Sequence, residues 1–152
     1  MVYDFLIKDL KIHLSQKSIG TDKGLAKIGD GIVNLIYSLA KSIYLTKNSN
    51  LKLPVRTGTK VSKSILSDAL KQSDMKEYSK VRSDAHDLAD TVEAIIAFVW
   101  LNGSITIDQM TNLLVESLNG DLNNRKEEII NAKVAFSKLL NSLKQYLPRS
   151  QE

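Results

Sequence analysis

The chain has no cysteine, few aromatic residues and only two prolines among its 152 residues. Without cysteine it can form neither disulfides nor thiolate zinc centres, and it suits a reducing compartment. No hydrophobic run is long enough to span a bilayer. The longest, Ala94 to Leu101, falls far short of the ~20 residues required. Asp4 and Lys8 interrupt the apolar N-terminus too early for a signal peptide. No β-type alternation, internal repeat or long linker occurs. The expectation is one cytoplasmic domain over residues 1–152, with no membrane association and no second domain.

Positive charge is also missing from one long stretch. Between Ser83 and Asn124 there is no Lys or Arg, but there are seven acids. Residues 1–82 carry 15 Lys/Arg against 7 Asp/Glu, whereas residues 83–152 carry 6 against 10. This asymmetry suits a protein that holds a polyanion with one surface and a metal ion with another. It also arises by chance on solvated helix faces.

What is present is helical periodicity. Phe5, Leu6, Leu10, Ile12 and His13 pattern a short first helix, and Ser15 to Asp22 reads as a connection. Leu25 to Thr46 is apolar at Leu25, Ile28, Ile32, Leu35, Ile36, Leu39, Ile43 and Leu45, the pattern of a long, largely buried helix. Gly29 and Gly31 each cost that helix about 1 kcal/mol relative to Ala, so something must approach the backbone there. A polar loop, Lys47 to Gly58, precedes a helix from Val61 to Leu70. Arg82 to Leu101 is a second central helix, ended by Asn102-Gly103. Thr106 caps a helix from Ile107 to Leu118, and Asn119-Gly120-Asp121 is a turn. A final helix, Leu122 to Tyr146, covers the core with Ile129, Ile130, Val134, Phe136, Leu139, Leu140 and Leu143, and Pro148 stops it. The expected fold is all-α, with six or seven helices.

Three acids lie in these apolar helices, where an ionised carboxylate needs a partner. Asp90 and Glu93, three residues apart, project from one side of the second central helix. His86 lies on the same face and Asp87 at its edge. Crowded carboxylates repel, and a divalent cation relieves the repulsion. Oxygen ligands without sulfur favour Mg2+ or Mn2+. Asp30 reaches the same ion if the two central helices cross. By spacing alone, D-x-x-E is common on solvated faces.

The segment Leu88-Ala89-Asp90-Thr91-Val92-Glu93-Ala94-Ile95-Ile96-Ala97-Phe98-Val99-Trp100-Leu101-Asn102-Gly103 closely resembles the second acidic motif of ribonuclease III. That motif runs A-D-x-x-E-A-x-I-G-A, then an aromatic, a Leu and a turn with Gly. Leu25-Ala26-Lys27-Ile28-Gly29-Asp30 resembles the end of the family signature, L-E-x-L-G-D. Lys60-Val61-Ser62 is similar to its V-S element. The motif core spans about residues 23–105, with C-terminal helices over 106–147.

The resemblance implies a small stand-alone endonuclease domain of archaeal type, without a double-stranded-RNA-binding domain. It implies a homodimer with double-stranded or structured RNA across both subunits, and a Mg2+-dependent acidic centre in each. Hydrolysis of the phosphodiester would leave a 5′-phosphate and a 3′-hydroxyl. By position, Asp30, Asp90 and Glu93 become catalytic residues and metal ligands, with His86 and Asp87 as possible additional ones. Two family glutamates are replaced, by Ala26 and Lys23. The alternative is therefore a catalytically weakened ribonuclease III-like RNA-binding protein.

Arg56, Lys60, Lys63, Lys71, Lys76, Lys80 and Arg82 form a basic stretch ahead of the acidic helix. Arg56, Lys60 and Lys63 are its candidate RNA contacts, neutralising phosphates with little sequence readout. His86-Asp87 alone does not make an HD-type phosphohydrolase site, because the only other histidine, His13, is on the first helix. Phe98 and Trp100 fit either the core or a dimer contact.

Overall fold

A computed structural model describes residues 2–50 and 53–150. Seven α-helices are found among them: α1 (Lys8–Ile12), α2 (Gln16–Gly20), α3 (Lys23–Lys47), α4 (Lys63–Gln72), α5 (Ala85–Leu101), α6 (Ile107–Ser117) and α7 (Arg125–Leu143). Short 3-10 turns cover Asp4–Leu6, Lys76–Tyr78 and Lys144–Tyr146. No strand occurs among the described residues, as the periodicity predicts.

Helix α5 is the centre of the molecule. Twelve of its residues are buried, Leu88 to Val99 almost without interruption, so it is surrounded on nearly every side. Asp84 caps it in a reciprocal box with Asp87, and Asn102 with Gly103 (φ 75°) ends it. Helix α3 lies along one side, α4 along another, and α7 closes the core with Phe136, Leu139, Leu140 and Leu143.

The crossing of α3 and α5 is unusually close at Gly29. A Cβ there would collide with the backbone carbonyl of Glu93. Any side chain would push the two helices apart, which gives Gly29 a physical reason to interrupt a helix. Gly31 has no such reason, since nothing approaches its Cβ position.

A second device aims the chain between α3 and α4. Residues 55–61 run extended, antiparallel to α3, and four polar side chains of α3 hold their backbone. Thr46 Oγ1 accepts from the Val55 amide at 2.9 Å, and Ser42 Oγ from the Thr57 amide at 3.0 Å. Ser38 Oγ accepts from the Thr59 amide at 3.3 Å, and Asn34 Oδ1 from the Val61 amide at 2.8 Å. The ladder works because the two periods match. Four helical residues rise about 6 Å, and two extended residues span about 6.6 Å. Lys60 is carried to its position by this strap.

Several expectations need correction. Ser15 to Asp22 is not a plain connection: Ser15 and Ser18 build a capping box, and α2 follows. The N-terminal segment buries Ile7, whereas Phe5, Leu6 and Ile12 are exposed. On α3 the apolar stripe is wider than the core can use, so Ile28, Leu35 and Leu39 face outward. Ile130 and Val134 of α7 are exposed as well. The last helix begins at Arg125 rather than Leu122, because the side chain of Asn124 caps it. Phe98 is core, while Trp100 is half-buried with its ring 5.0 Å from that of Tyr3. Leu51 and Lys52 of the polar loop, Met1, and Gln151 and Glu152 of the tail lie outside the described residues.

Candidate functional site

An open cleft of about 700 Å3 lies where α3, the strap and α5 meet. Asp30 enters it from α3, and Asp90 and Glu93 from α5. His86, Lys60 and Lys63 line the same cleft, joined by Lys23 and Lys27 from α3. The close approach at Gly29 accounts for this meeting. It sets α3 against the backbone of Glu93, one residue before Asp30 points into the cleft.

Each carboxylate has different surroundings. Asp30 is exposed, and Asn34 donates to its Oδ1 at 3.3 Å and to its carbonyl at 2.9 Å. Since Asn34 also accepts from Val61, it ties Asp30 to the strap. Two ammonium groups and an imidazole surround Asp90: Lys23 Nζ lies 3.0 Å and His86 Nε2 3.5 Å from Oδ2, with Lys63 Nζ 3.6 Å from Oδ1. Glu93 is buried at 6% exposure, and no side chain among the described residues hydrogen bonds to or pairs with its carboxylate. Burial and the negative charges of Asp30 and Asp90 push its pKa up to about 7, against the pull of Lys63 and Lys60.

Asp87 stands apart. Its carboxylate accepts from the Asp84 amide at 3.1 Å, and Lys80 and Lys23 lie 3.3 and 3.9 Å away. It lines a neighbouring hollow with Asp22 and Lys80, and its pKa is lowered chiefly by the hydrogen bonding with Asp84. Its place in the helix cap accounts for its side chain. Arg56, on the exposed strap, does not line the cleft.

Oxygen donors without sulfur suit a hard divalent cation, and an unpartnered buried Glu93 is the kind of group such an ion would satisfy. Asp30, Asp90 and Glu93 would hold it. Yet among the described residues no three His, Asp or Glu side chains close around one point as a ready-made metal site. The expected convergence of the three acids goes as far as a shared cleft. Two features oppose a tighter one. Buried Ala26, where the resembled motif has a glutamate, lines the cleft without a donor, and Lys23 holds Asp90.

Sequence reasoning counted Lys23 only as a lost acid and overlooked Asn34. The spacing offered signals for both. Asn34 follows Asp30 by four residues, one helical turn. Lys23 is the first residue of α3, where the helix dipole disfavours a cation unless acids lie nearby.

No helix among the described residues is long and apolar enough to cross a membrane. No curated protein matches the chain. The family model for ribonuclease III matches residues 23–148, from the first residue of α3 past the end of α7. With an all-helical fold and the D-x-x-E helix packed on the G-D helix, the chain belongs to the ribonuclease III family.

Proposed function

We propose that the protein is a metal-dependent endoribonuclease acting on double-stranded or structured RNA. The observation that carries this reading is the cleft itself, with three carboxylates on a floor framed by lysines. Membership of the family supports an RNA-processing role. Lys60 and Lys63 receive backbone phosphates, which fixes the RNA without reading its sequence. Asn34 orients Asp30 through the strap. A bound Mg2+ or Mn2+ supplies charge that activates water toward a phosphodiester. Glu93 holds its proton more tightly than a free carboxyl in the empty cleft, so a cation would have to displace that proton to bind there.

The active form in this reading is a homodimer. Ile28, Leu35 and Leu39, at 38, 48 and 40% exposure, form an apolar stripe on the outer face of α3, and a second copy is the proposed cover. The reading carries a cytoplasmic location, which the cysteine-free composition fits.

One observation favours a second reading, RNA binding without cleavage. Lys23 and Ala26 replace two acids, and the Lys23 ammonium already neutralises Asp90. Incubating the protein with long double-stranded RNA in Mg2+, Mn2+ or EDTA separates the two. Metal-dependent fragments with 5′-phosphate ends support the nuclease. Intact RNA that still shifts on a native gel, whichever metal is present, supports the binder.

A further inference from the structure

Lys23 is placed against ordinary helix preference. It opens α3 at the positive end of the helix dipole, which Asp22 caps by accepting from the Leu25 amide at 2.8 Å. The partners of its own ammonium come from α5. The ammonium sits 3.0 Å from Asp90 Oδ2 and 3.9 Å from Asp87 Oδ1, across a contact between residues distant in sequence. The Asp90 carboxylate is mostly enclosed, at 16% exposure, whereas the Lys23 side chain is 63% exposed. The carboxylate is thus fixed and the cation free to swing away. Lys27 lines the same cleft and makes no ion pair with Asp90.

We propose that Lys23 is a built-in counter-ion of Asp90, occupying its carboxylate in the free protein so that a divalent cation must displace it to bind. The inference rests on the metal-binding role proposed for Asp30, Asp90 and Glu93. Three features make the lysine a competitor rather than a ligand. An ammonium donates and cannot coordinate. It takes Oδ2 of Asp90, an oxygen that a cation would use. Ala26 offers no second carboxylate to offset the loss. Since exposed ion pairs are individually weak, the lysine can be displaced. Metal binding is thereby weakened but not abolished, and metal is retained only when enough is supplied.

The test is titration of the full chain with Mn2+ alone by calorimetry, comparing the parent with Lys23→Gln and Lys27→Gln. The two variants remove the same charge from one cleft, but only the first takes the ammonium off Asp90 Oδ2; Lys63, 3.6 Å from Oδ1, and His86, 3.5 Å from Oδ2, stay in both. Lys23→Gln is expected to tighten Mn2+ binding by about fivefold, and Lys27→Gln by less than about twofold. Circular dichroism checks that both variants keep their helix content. Equal gains in the two variants, or no gain in Lys23→Gln, would overturn the counter-ion role and leave the metal site standing. No Mn2+ binding in the parent or in Lys23→Gln would overturn both the counter-ion role and the proposed metal site. Binding that emerges only in Lys23→Gln would support the proposal in its strongest form.

Discussion

Two buried glutamates show how residue surroundings decide behaviour. Glu128 is 3% exposed but fully partnered: Lys41 Nζ and Tyr37 Oη lie 2.7 and 2.8 Å from Oε2, and Arg125 donates to Oε1 at 2.9 Å. Burial raises its pKa, but these donors outweigh burial and leave it below the usual carboxylate value. Glu93 has no such donors, and its pKa rises to about 7. The signs of their stability effects are opposite. Glu128 contributes stability above its unfolded pKa, lost as pH falls through the lowered folded value. Folded Glu93 binds its proton more tightly than the unfolded chain does, so it costs stability as pH rises from about 4.5 to about 7. Glu93→Gln should therefore leave stability nearly unchanged at pH 4 and raise it by about 2 kcal/mol at pH 8. Urea unfolding at the two pH values checks this. A residue that weakens its own fold at working pH is expected where function has claimed the position.

At the scale of elements, the α3–α5 crossing and the strap place the site. Gly29→Ala should destabilise the fold by about 3 kcal/mol or more, because the added methyl meets backbone that cannot yield. Gly31→Ala should stabilise it by about 1 kcal/mol, since the methyl meets nothing and helix propensity improves. Thermal unfolding of both variants, at concentrations that keep the chain monomeric, should give opposite signs. Ser42 is bonded at both ends of one strap residue, accepting from the Thr57 amide and donating to its carbonyl at 2.9 Å. Ser42→Ala should cost about 1–2 kcal/mol, leaving that amide unpaired. It should also weaken RNA binding in a filter assay, through loss of the aim of Lys60. The longer helices were legible in the sequence, because apolar periods mark them and Thr106 stands where one begins; the five residues of α2 are too few to show a period. The ladder was not legible. Asn34, Ser38, Ser42 and Thr46 repeat every four residues, but a polar stripe on a helix normally means solvent, and the strap has no periodic signature of its own.

At the scale of the whole molecule, the split of charge along the chain becomes a cleft that contains both signs. Lysines from the basic half, Lys23, Lys27, Lys60 and Lys63, line it beside acids from the acidic half, Asp90 and Glu93. The motif resemblance pointed to Asp30, Asp90 and Glu93, and the three line one cleft. It did not reveal that Asp90 would be held by Lys23, because a substitution table records a lost ligand and not where the replacement's ammonium goes. Burial was the least legible property. Periodicity assigned Ile28, Leu35 and Leu39 to the core, since a stripe facing a partner has the same spacing as one facing the interior. If a second copy covers that stripe, sedimentation of the parent should give a dimer. Leu35→Lys should shift it to monomer by at least about tenfold in dissociation constant, as a buried unpaired charge at an interface demands. A parent that sediments only as monomer would remove the dimer from the account.

The central claim is that the three carboxylates of the cleft work together on RNA. The most direct measurement is the rate of double-stranded RNA cleavage in Mn2+ by the parent and by Glu93→Gln, purified identically. The account predicts metal-dependent cleavage by the parent and a loss of at least about a hundredfold in the variant, with RNA binding retained. Equal cleavage by the two proteins, or none by the parent at any metal concentration, would contradict it.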